Sequence, residues 1–536
     1  APALPAQPPA AGSGAGSGSA DRSPDPGPAR DRVAPGRAVL SARGVADWPR
    51  LSTRINRGVA WAGAAQAIIA IADLVSQVVV GARFVSADDL GLAAGAMAFY
   101  TLLDTAADFG VTSGLIQRDD HTPETVSTVF WFNLLVSTGL AVVLLGLGPL
   151  YGRFQGHPIV GWLLVAYGGK LVLQNVYAIP FALLRRELRY AEIAKARTAA
   201  HLCESVARIA FAALGYTVWC WTLAALIRSA VFGAIMQWRH RFVPKLVFQP
   251  RTVLPHVRFG LRTAASQMLY QLYTNLDYAV VLRVFGERAN GIYTLAYFIV
   301  LEPVKTIANV VIDVAFPAFA RLRADRDGLI RQLLQFTRLN LIAVLPFVVL
   351  ILLVIPEFLR VFYAGGKWTG DELALCGEAA RILCIVGVLR GLGFLGPPLL
   401  DGIGRPELTL RYMVSATLAV PAMFVAGAVV LGDRLGFLSV AVAWAAGYPL
   451  AFAVLAYLVV RSIELPLAPY IRASAGIFGC CGGGALGGLA VSEVLANVSD
   501  GVRMVAVGLG ALAVTAALLA TWQGITPRSI AAALRG

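Results

Sequence analysis

RLNLIAVLPFVVLILLVIPEFLRVF, residues 338–362, carries charge only near its margins, at Arg338, Glu357 and Arg360. About 20 apolar residues suffice for a helix to cross the ~30 Å hydrocarbon layer of a bilayer. Outward from this stretch the pattern repeats. Comparable segments fall at 58–82, 90–116, 126–148, 159–183, 194–214, 217–238, 259–284, 291–316, 376–400, 410–431, 437–460, 470–494 and 501–522. The spacing predicts an all-α polytopic membrane protein of about 14 transmembrane helices.

Composition agrees: 57% of the 536 residues are apolar and 14% are charged. The net charge of +14 does not point to nucleic acid, because the excess sits in alternate loops and no zinc-finger, RNA-binding-strand or basic recognition-helix pattern is present. One set of loops holds Arg54, Arg57, Arg185, Arg186, Arg189, Lys195, Arg197, Arg239, Arg241, Lys245 and their later equivalents. The other holds only Arg83, Arg153, Arg283, Arg288, Arg360, Lys367 and Arg434. This asymmetry, roughly threefold, places the rich set in the cytoplasm and, with an even number of spans, both termini there too. Residues 1–50 are rich in Pro, Ala, Gly, Ser and Arg, lack an apolar core for a cleavable signal, and are expected to be a disordered cytoplasmic tail. The six cysteines include no CxxC pair and read as small buried hydrophobes. The five histidines are scattered, so no metal site is expected.

An internal repeat is visible. RFVSADDLGLAAGAMAF (83–99) and RVFGERANGIYTLAYFI (283–299) align Arg83 with Arg283 and Gly91 with Gly291, both offset by 200 residues. They fall at spans one to two and seven to eight, as two six-helix halves require, and repeated halves with a site between them mark transporters.

Several segments carry a resemblance. ADDLGLAAGAMAFYTLLDTAADFGVTSGLIQRDD (87–120), STVFWFNLLVSTGLAVVLL (127–145), FALLRRELRYAEIAKAR (181–197), NLDYAVVLRVFGERANGIYTLAYFIVLEPV (275–304) and AFPAFARLRAD (315–325) contain IQR, FWFN, RRELRY and NLDY in order. Over residues 55 to 470 the chain resembles the polysaccharide transport family of lipid-linked oligosaccharide flippases, within the multidrug/oligosaccharidyl-lipid/polysaccharide (MOP) superfamily. The N-terminal tail departs from that pattern. The resemblance implies two pseudo-symmetric six-helix bundles, 51–240 and 241–460, followed by two additional helices and a short cytoplasmic tail over 461–536. It implies alternating access around a central cavity, with no cofactor. The implied substrate is an undecaprenyl-pyrophosphate-linked oligosaccharide crossing the bacterial inner membrane for exopolysaccharide, capsule or O-antigen synthesis. The implied partners are membrane lipids, a polysaccharide polymerase and a chain-length regulator.

Ionisable residues inside spans are costly and therefore functional candidates. For a pyrophosphate headgroup the candidate ligands are Lys170, Arg228, Lys305 and Arg390, two from each half, with Arg208 and Arg262 as second choices. The competing reading is an internal ion pair, for which Glu204–Arg208 and Glu302–Lys305 have the spacing. Asp104 and Asp108 share a helix face and, with Asp73, are candidates for ion coupling; a structural role for the Asp104–Asp108 pair is favoured. Trp368 is expected to anchor at the interface, with sugar stacking as the second reading. The segment around RRELRY is expected to lie along the membrane surface as a basic helix.

Three rival functions remain. A drug/cation antiporter or peptidoglycan-precursor flippase has the same fold, although cations in the cavity would repel cationic drugs. A membrane-embedded glycosyltransferase would use acids such as Asp88 and Asp89, but the outer loops are short and no Walker A sequence is present. A scaffold has no use for cations buried in the membrane.

Overall fold

Prolines and short polar caps fix where the helices begin. The computed structural model describes residues 48–108, 122–187 and 189–526. Every regular element among them is a helix: α1 (Trp48–Arg83), α2 (Ala87–Asp108), α3 (Pro123–Gln155), α4 (Pro158–Arg186), α5 (Tyr190–Ala213), α6 (Cys220–Arg239), α7 (Pro250–Arg321), α8 (Arg326–Tyr363), α9 (Gly370–Gly393), the short α10 (Gly396–Gly402), α11 (Pro406–Leu435), α12 (Leu438–Ile463), α13 (Leu467–Val494) and α14 (Asp500–Trp522). Pro123, Pro158, Pro250 and Pro406 occupy first-turn positions, where the missing N–H costs nothing. Thr369 and Glu372 close a capping box at the start of α9, and the Asp325 carboxylate accepts from the Gly328 N–H at 2.9 Å to start α8. The expected tail, 1–50, lies almost wholly outside the described residues.

Ten helices among the described residues are long and apolar enough to cross a membrane. One, Ala265–Arg321, holds two limbs, because Gly286 at φ 85° and ψ 178° breaks α7 between the two spans expected there. Only a residue without a Cβ adopts that conformation freely. The helices at expected spans one, two and five (α1, α2 and α5) are not among the ten. α2 carries Asp88, Asp89, Asp104 and Asp108, and α5 carries Glu192, Lys195, Arg197, Glu204 and Arg208. Among these, Asp104, Glu192, Glu204 and Arg208 have polar partners within the protein, and their charges lower the hydropathy of α2 and α5.

The stretch expected to lie along the membrane surface as a basic helix is not one continuous helix. RRELRY is divided between the end of α4 at Arg186 and the start of α5 at Tyr190. Arg189 sits in the turn, bridging Glu187 at 3.2 Å and Glu192 at 2.8 Å.

The repeat has a direct structural consequence. α2 crosses the second limb of α7 so closely that a Cβ on Gly91 would overlap the Glu287 carbonyl, and one on Gly291 would overlap the Ala87 carbonyl. Ala87 and Glu287 are related by the same 200-residue offset as the two glycines, so the contact is reciprocal, as a twofold-related crossing requires. Asn290 adds a buried hydrogen bond, Nδ2 donating to the Gly91 carbonyl at 2.7 Å. Around this crossing lie His157–Glu287 at 3.0 Å and Arg288–Glu372 at 2.9 Å. The α8–α9 loop joins the same junction. Trp368, 5% exposed, donates its indole N–H to the Gly81 carbonyl at the end of α1, 2.8 Å away. Trp368 is therefore a buried strut between α1 and α9, neither an interfacial anchor nor a sugar platform. Val80 of α1, Val85 of the turn that follows it, and Leu90 and Ala94 of α2 share one apolar cluster with α7–α12. The glycine-rich face of α13 packs on α14, with Gly484 against Thr515 and Gly487 against Val514. Cys203 is exposed; the other five cysteines are buried and all six are free.

Candidate functional site

Each half carries a cation seated on a tyrosine. In the first, the Lys170 ammonium, on α4, donates to the Tyr100 hydroxyl, on α2, and lies 4.5 Å from that ring's centroid. The Tyr100 O–H donates onward to Asp104 at 2.8 Å, and Gln174 donates to the same carboxylate oxygen at 2.6 Å. In the second, the Arg390 guanidinium, on α9, donates from Nη1 to the Tyr297 hydroxyl on α7 at 2.9 Å. It also lies 4.6 Å from the Trp444 ring and 5.8 Å from Tyr448. Tyr297 is three residues from the position that the 200-residue offset pairs with Tyr100. The two centres thus use equivalent helices.

Lys170 and Arg390 are 5% and 3% exposed, and neither forms an ion pair within 4 Å among the described residues. The Arg390 Nη2 is buried without any hydrogen-bond partner. A buried guanidinium with a donor left over is costly unless something else accepts from it. Behind the cage, the fully buried Asp277 accepts from Tyr293 at 2.6 Å, Trp444 at 2.8 Å and the Tyr278 N–H at 2.9 Å.

The remaining first-half candidates converge on Glu204. Arg228 Nη1 donates to it at 3.1 Å and Arg208 Nη2 lies 3.4 Å from it. Arg208 also donates to Ser76 at 2.9 Å and sits 3.9 Å from Asp73. His201 Nδ1 lies 3.4 Å from Asp73 and 3.5 Å from Glu204. Asp73, His201 and Glu204 bring potential ligand atoms within 4.8 Å of one another, a convergence that scattered sequence positions hide. Arg208 and Arg228 already neutralise those carboxylates. Arg208 is committed to internal partners, whereas the Arg228 side chain stays 32% exposed. In the second half Lys305 pairs with Glu302 at 3.3 Å, one turn away, and both remain partly exposed. The side chains of Arg262 and Asp108 lie outside the described residues.

Of the four candidates, Arg228 and Lys305 are therefore paired with Glu204 and Glu302, whereas Lys170 and Arg390 rest on tyrosines without an ion pair among the described residues. Sequence reasoning missed the tyrosines, Trp444 and His201. The available signal was the aromatic residue one turn from each in-span acid, Tyr100 before Asp104 and Tyr297 before Glu302. Tyr100→Phe is expected to strand Lys170 and Asp104 and to destabilise the purified protein by about 1–3 kcal/mol in denaturant unfolding. An unchanged unfolding curve would show that the hydroxyl bridges nothing.

Solved structures share this helical fold. The lipid II flippase MurJ in an inward closed conformation superposes with a TM-score of 0.68 at 16% identity, covering 85% of this chain and 98% of that one. An inward-facing MATE family multidrug resistance transporter of the MOP superfamily superposes at 0.58 and 19% identity, covering 74% and 95%. The protein has the fold of these membrane proteins. The chain belongs to the polysaccharide biosynthesis protein family, whose sequence model matches residues 80–371. The lipopolysaccharide biosynthesis protein WzxC of Escherichia coli is 28% identical over 394 residues, 72% of this chain and 77% of its own. The teichuronic acid biosynthesis protein TuaB of Bacillus subtilis is 25% identical over 430 residues, 79% and 86%.

Proposed function

We propose that the chain moves an undecaprenyl-pyrophosphate-linked oligosaccharide from the inner to the outer leaflet of a bacterial inner membrane. The halves 51–240 and 241–460 alternate access around a central site, with both termini cytoplasmic. Lys170 and Arg228 from one half, and Lys305 and Arg390 from the other, replace the water around the pyrophosphate. Arg262 joins them as a second choice, while Arg208 holds Asp73 and Glu204 in place. The observation that carries this reading is the buried Arg390 guanidinium, which forms no ion pair among the described residues and keeps Nη2 without a hydrogen-bond partner, a donor that a phosphate oxygen would take. The printed names of the relatives, lipopolysaccharide and teichuronic acid biosynthesis, agree with a polysaccharide precursor as cargo.

Asp73 is the coupling candidate with the better setting, since His201 and Arg208 surround it. Asp104, held by Tyr100 and Gln174, serves structure. The junction of α2 with α7 closes the Arg-poor end and supports a state open toward the cytoplasm. A polymerase and a chain-length regulator act downstream on the flipped product.

Depletion of the protein is expected to leave lipid-linked oligosaccharide on the cytoplasmic leaflet and to remove polymer from the surface. Membrane-impermeant periodate labelling of the sugar reads the leaflet directly. Unchanged surface labelling after depletion sinks the proposal.

A further inference from the structure

A cavity with a volume of about 490 Å³ and a mostly apolar lining lies between the end of α8 and the first half of α9. Small residues, among them Ala364, Gly365, Ala374 and Gly377, line it beside Leu359, Trp368 and Leu373. Three charged residues line it: Arg360, Glu378 and Arg381. Arg360 is committed, gripping Asp500 with Nε and Nη2 at 3.0 and 2.9 Å and reaching Glu357 at 3.4 Å. Glu378 and Arg381 are not. Both are exposed, and neither makes a hydrogen bond or ion pair among the described residues. Spacing i, i+3 allows them to pair with each other, yet they do not.

Arg381 is eleven residues into α9, about 16 Å along the axis from its first residue. A charge within a membrane-spanning helix needs a polar partner. Val361, Phe362, Leu375 and Ile385, on the same two helices, are large, apolar and exposed, as residues that meet lipid are. An occupant must therefore be amphipathic and enter from the side. It must offer an anion to Arg381 and a cationic donor to Glu378. A sugar lacks the fixed charges, and Trp368 is too deeply buried to present a stacking face.

We infer that this cavity binds the headgroup of a phospholipid that carries both a phosphate and a primary ammonium, from the leaflet at the Arg-poor end of the fold. Arg381 takes the phosphate and Glu378 takes the ammonium. Arg360, already neutralised, shapes the mouth and ties α8 to α14 through Asp500. The site is independent of the transported cargo, and only its assignment to the outer leaflet rests on the proposed orientation.

The test is native mass spectrometry of the purified full chain in mild detergent, offered equal amounts of phosphatidylethanolamine, phosphatidylcholine and phosphatidylglycerol. The wild type is expected to retain phosphatidylethanolamine roughly tenfold over the other two, since a charge-assisted hydrogen bond decides the preference. Glu378→Gln is expected to lose the discrimination between the ammonium and trimethylammonium headgroups while still binding both. Arg381→Gln is expected to weaken all three. Both positions are exposed, so the variants should fold. If either is recovered unfolded, Glu378→Asp, with a shorter reach, should show a reduced preference. Soluble glycerophosphoethanolamine tests for the free headgroup and is expected not to displace the lipid. Equal retention of the three lipids by the wild type, full discrimination by Glu378→Gln, or displacement by the soluble headgroup overturns the inference.

Discussion

Arg390→Met is expected to abolish surface polysaccharide while the folded protein keeps or gains stability. The guanidinium is buried with Nη2 unsatisfied, and one hydrogen bond to Tyr297 plus aromatic faces compensates the rest. Replacing such a group by an apolar side chain of similar length is often neutral or stabilising in proteins, because it removes a desolvation penalty. A residue retained for structure behaves in the opposite way. Transport should fall by roughly 10–100-fold, the value of a hydrogen bond to a charged group. Arg390→Lys should fall between, since it keeps the charge but loses the two-pronged grip. Asp277 provides the control. It sits behind Trp444, so the double variant Asp277→Asn/Arg390→Met tests whether any loss arises from an orphaned carboxylate. The measurements are surface polymer per unit of membrane-inserted protein and the unfolding midpoint in detergent. Normal polymer from Arg390→Met, and from the Arg228→Ala/Arg390→Ala pair, would remove these residues from the mechanism.

The second large effect is expected at the glycine crossing. Gly91 and Gly291 each face a backbone carbonyl, and backbone cannot swing aside as a side chain does. Gly291→Ala should cost about 1–3 kcal/mol, as overpacking does elsewhere. Gly291→Leu or Gly91→Leu should prise α2 from α7, break the Asn290 hydrogen bond to the Gly91 carbonyl, and leave little folded protein in the membrane. The two positions are equivalent by the repeat, so their effects should match in size. A Leu variant at either position with wild-type expression, unfolding midpoint and transport would show that the helices do not meet there. Gly139 and Gly146 on α3, where an added Cβ meets nothing within 4 Å, are the matched controls for a glycine substitution as such.

Much of this was legible from residue types. Helix positions followed from apolar run length, because the spacing of charges along a span does not depend on its neighbours. The repeat announced that Gly91 and Gly291 are equivalent. It did not announce that each meets the backbone of the other's helix, since symmetry relates positions without bringing them together. Glu302–Lys305 and Glu204–Arg208 were visible because both pairs lie on one helix. Trp368 misled because aromatic residues at span ends usually face the interface, and only the approach of α1 turns that indole inward. RRELRY misled because charge density resembles a surface helix, whereas Glu187 and Glu192 satisfy Arg189 locally within a turn.

By itself the sequence determined a helical membrane protein, the 200-residue equivalence of Gly91 with Gly291 and which in-span charges need explanation, all of them set by run length, spacing and offset. The tertiary structure decided which charges are spent and which remain. Arg208 is committed to Asp73 and Glu204, while Arg390 keeps an unused donor beneath its aromatic cage. That distinction depends on groups brought together from helices far apart in the chain, such as Ser76 with Arg208 and Tyr297 with Arg390. Distances between helices are fixed by packing, and no one-dimensional pattern encodes them.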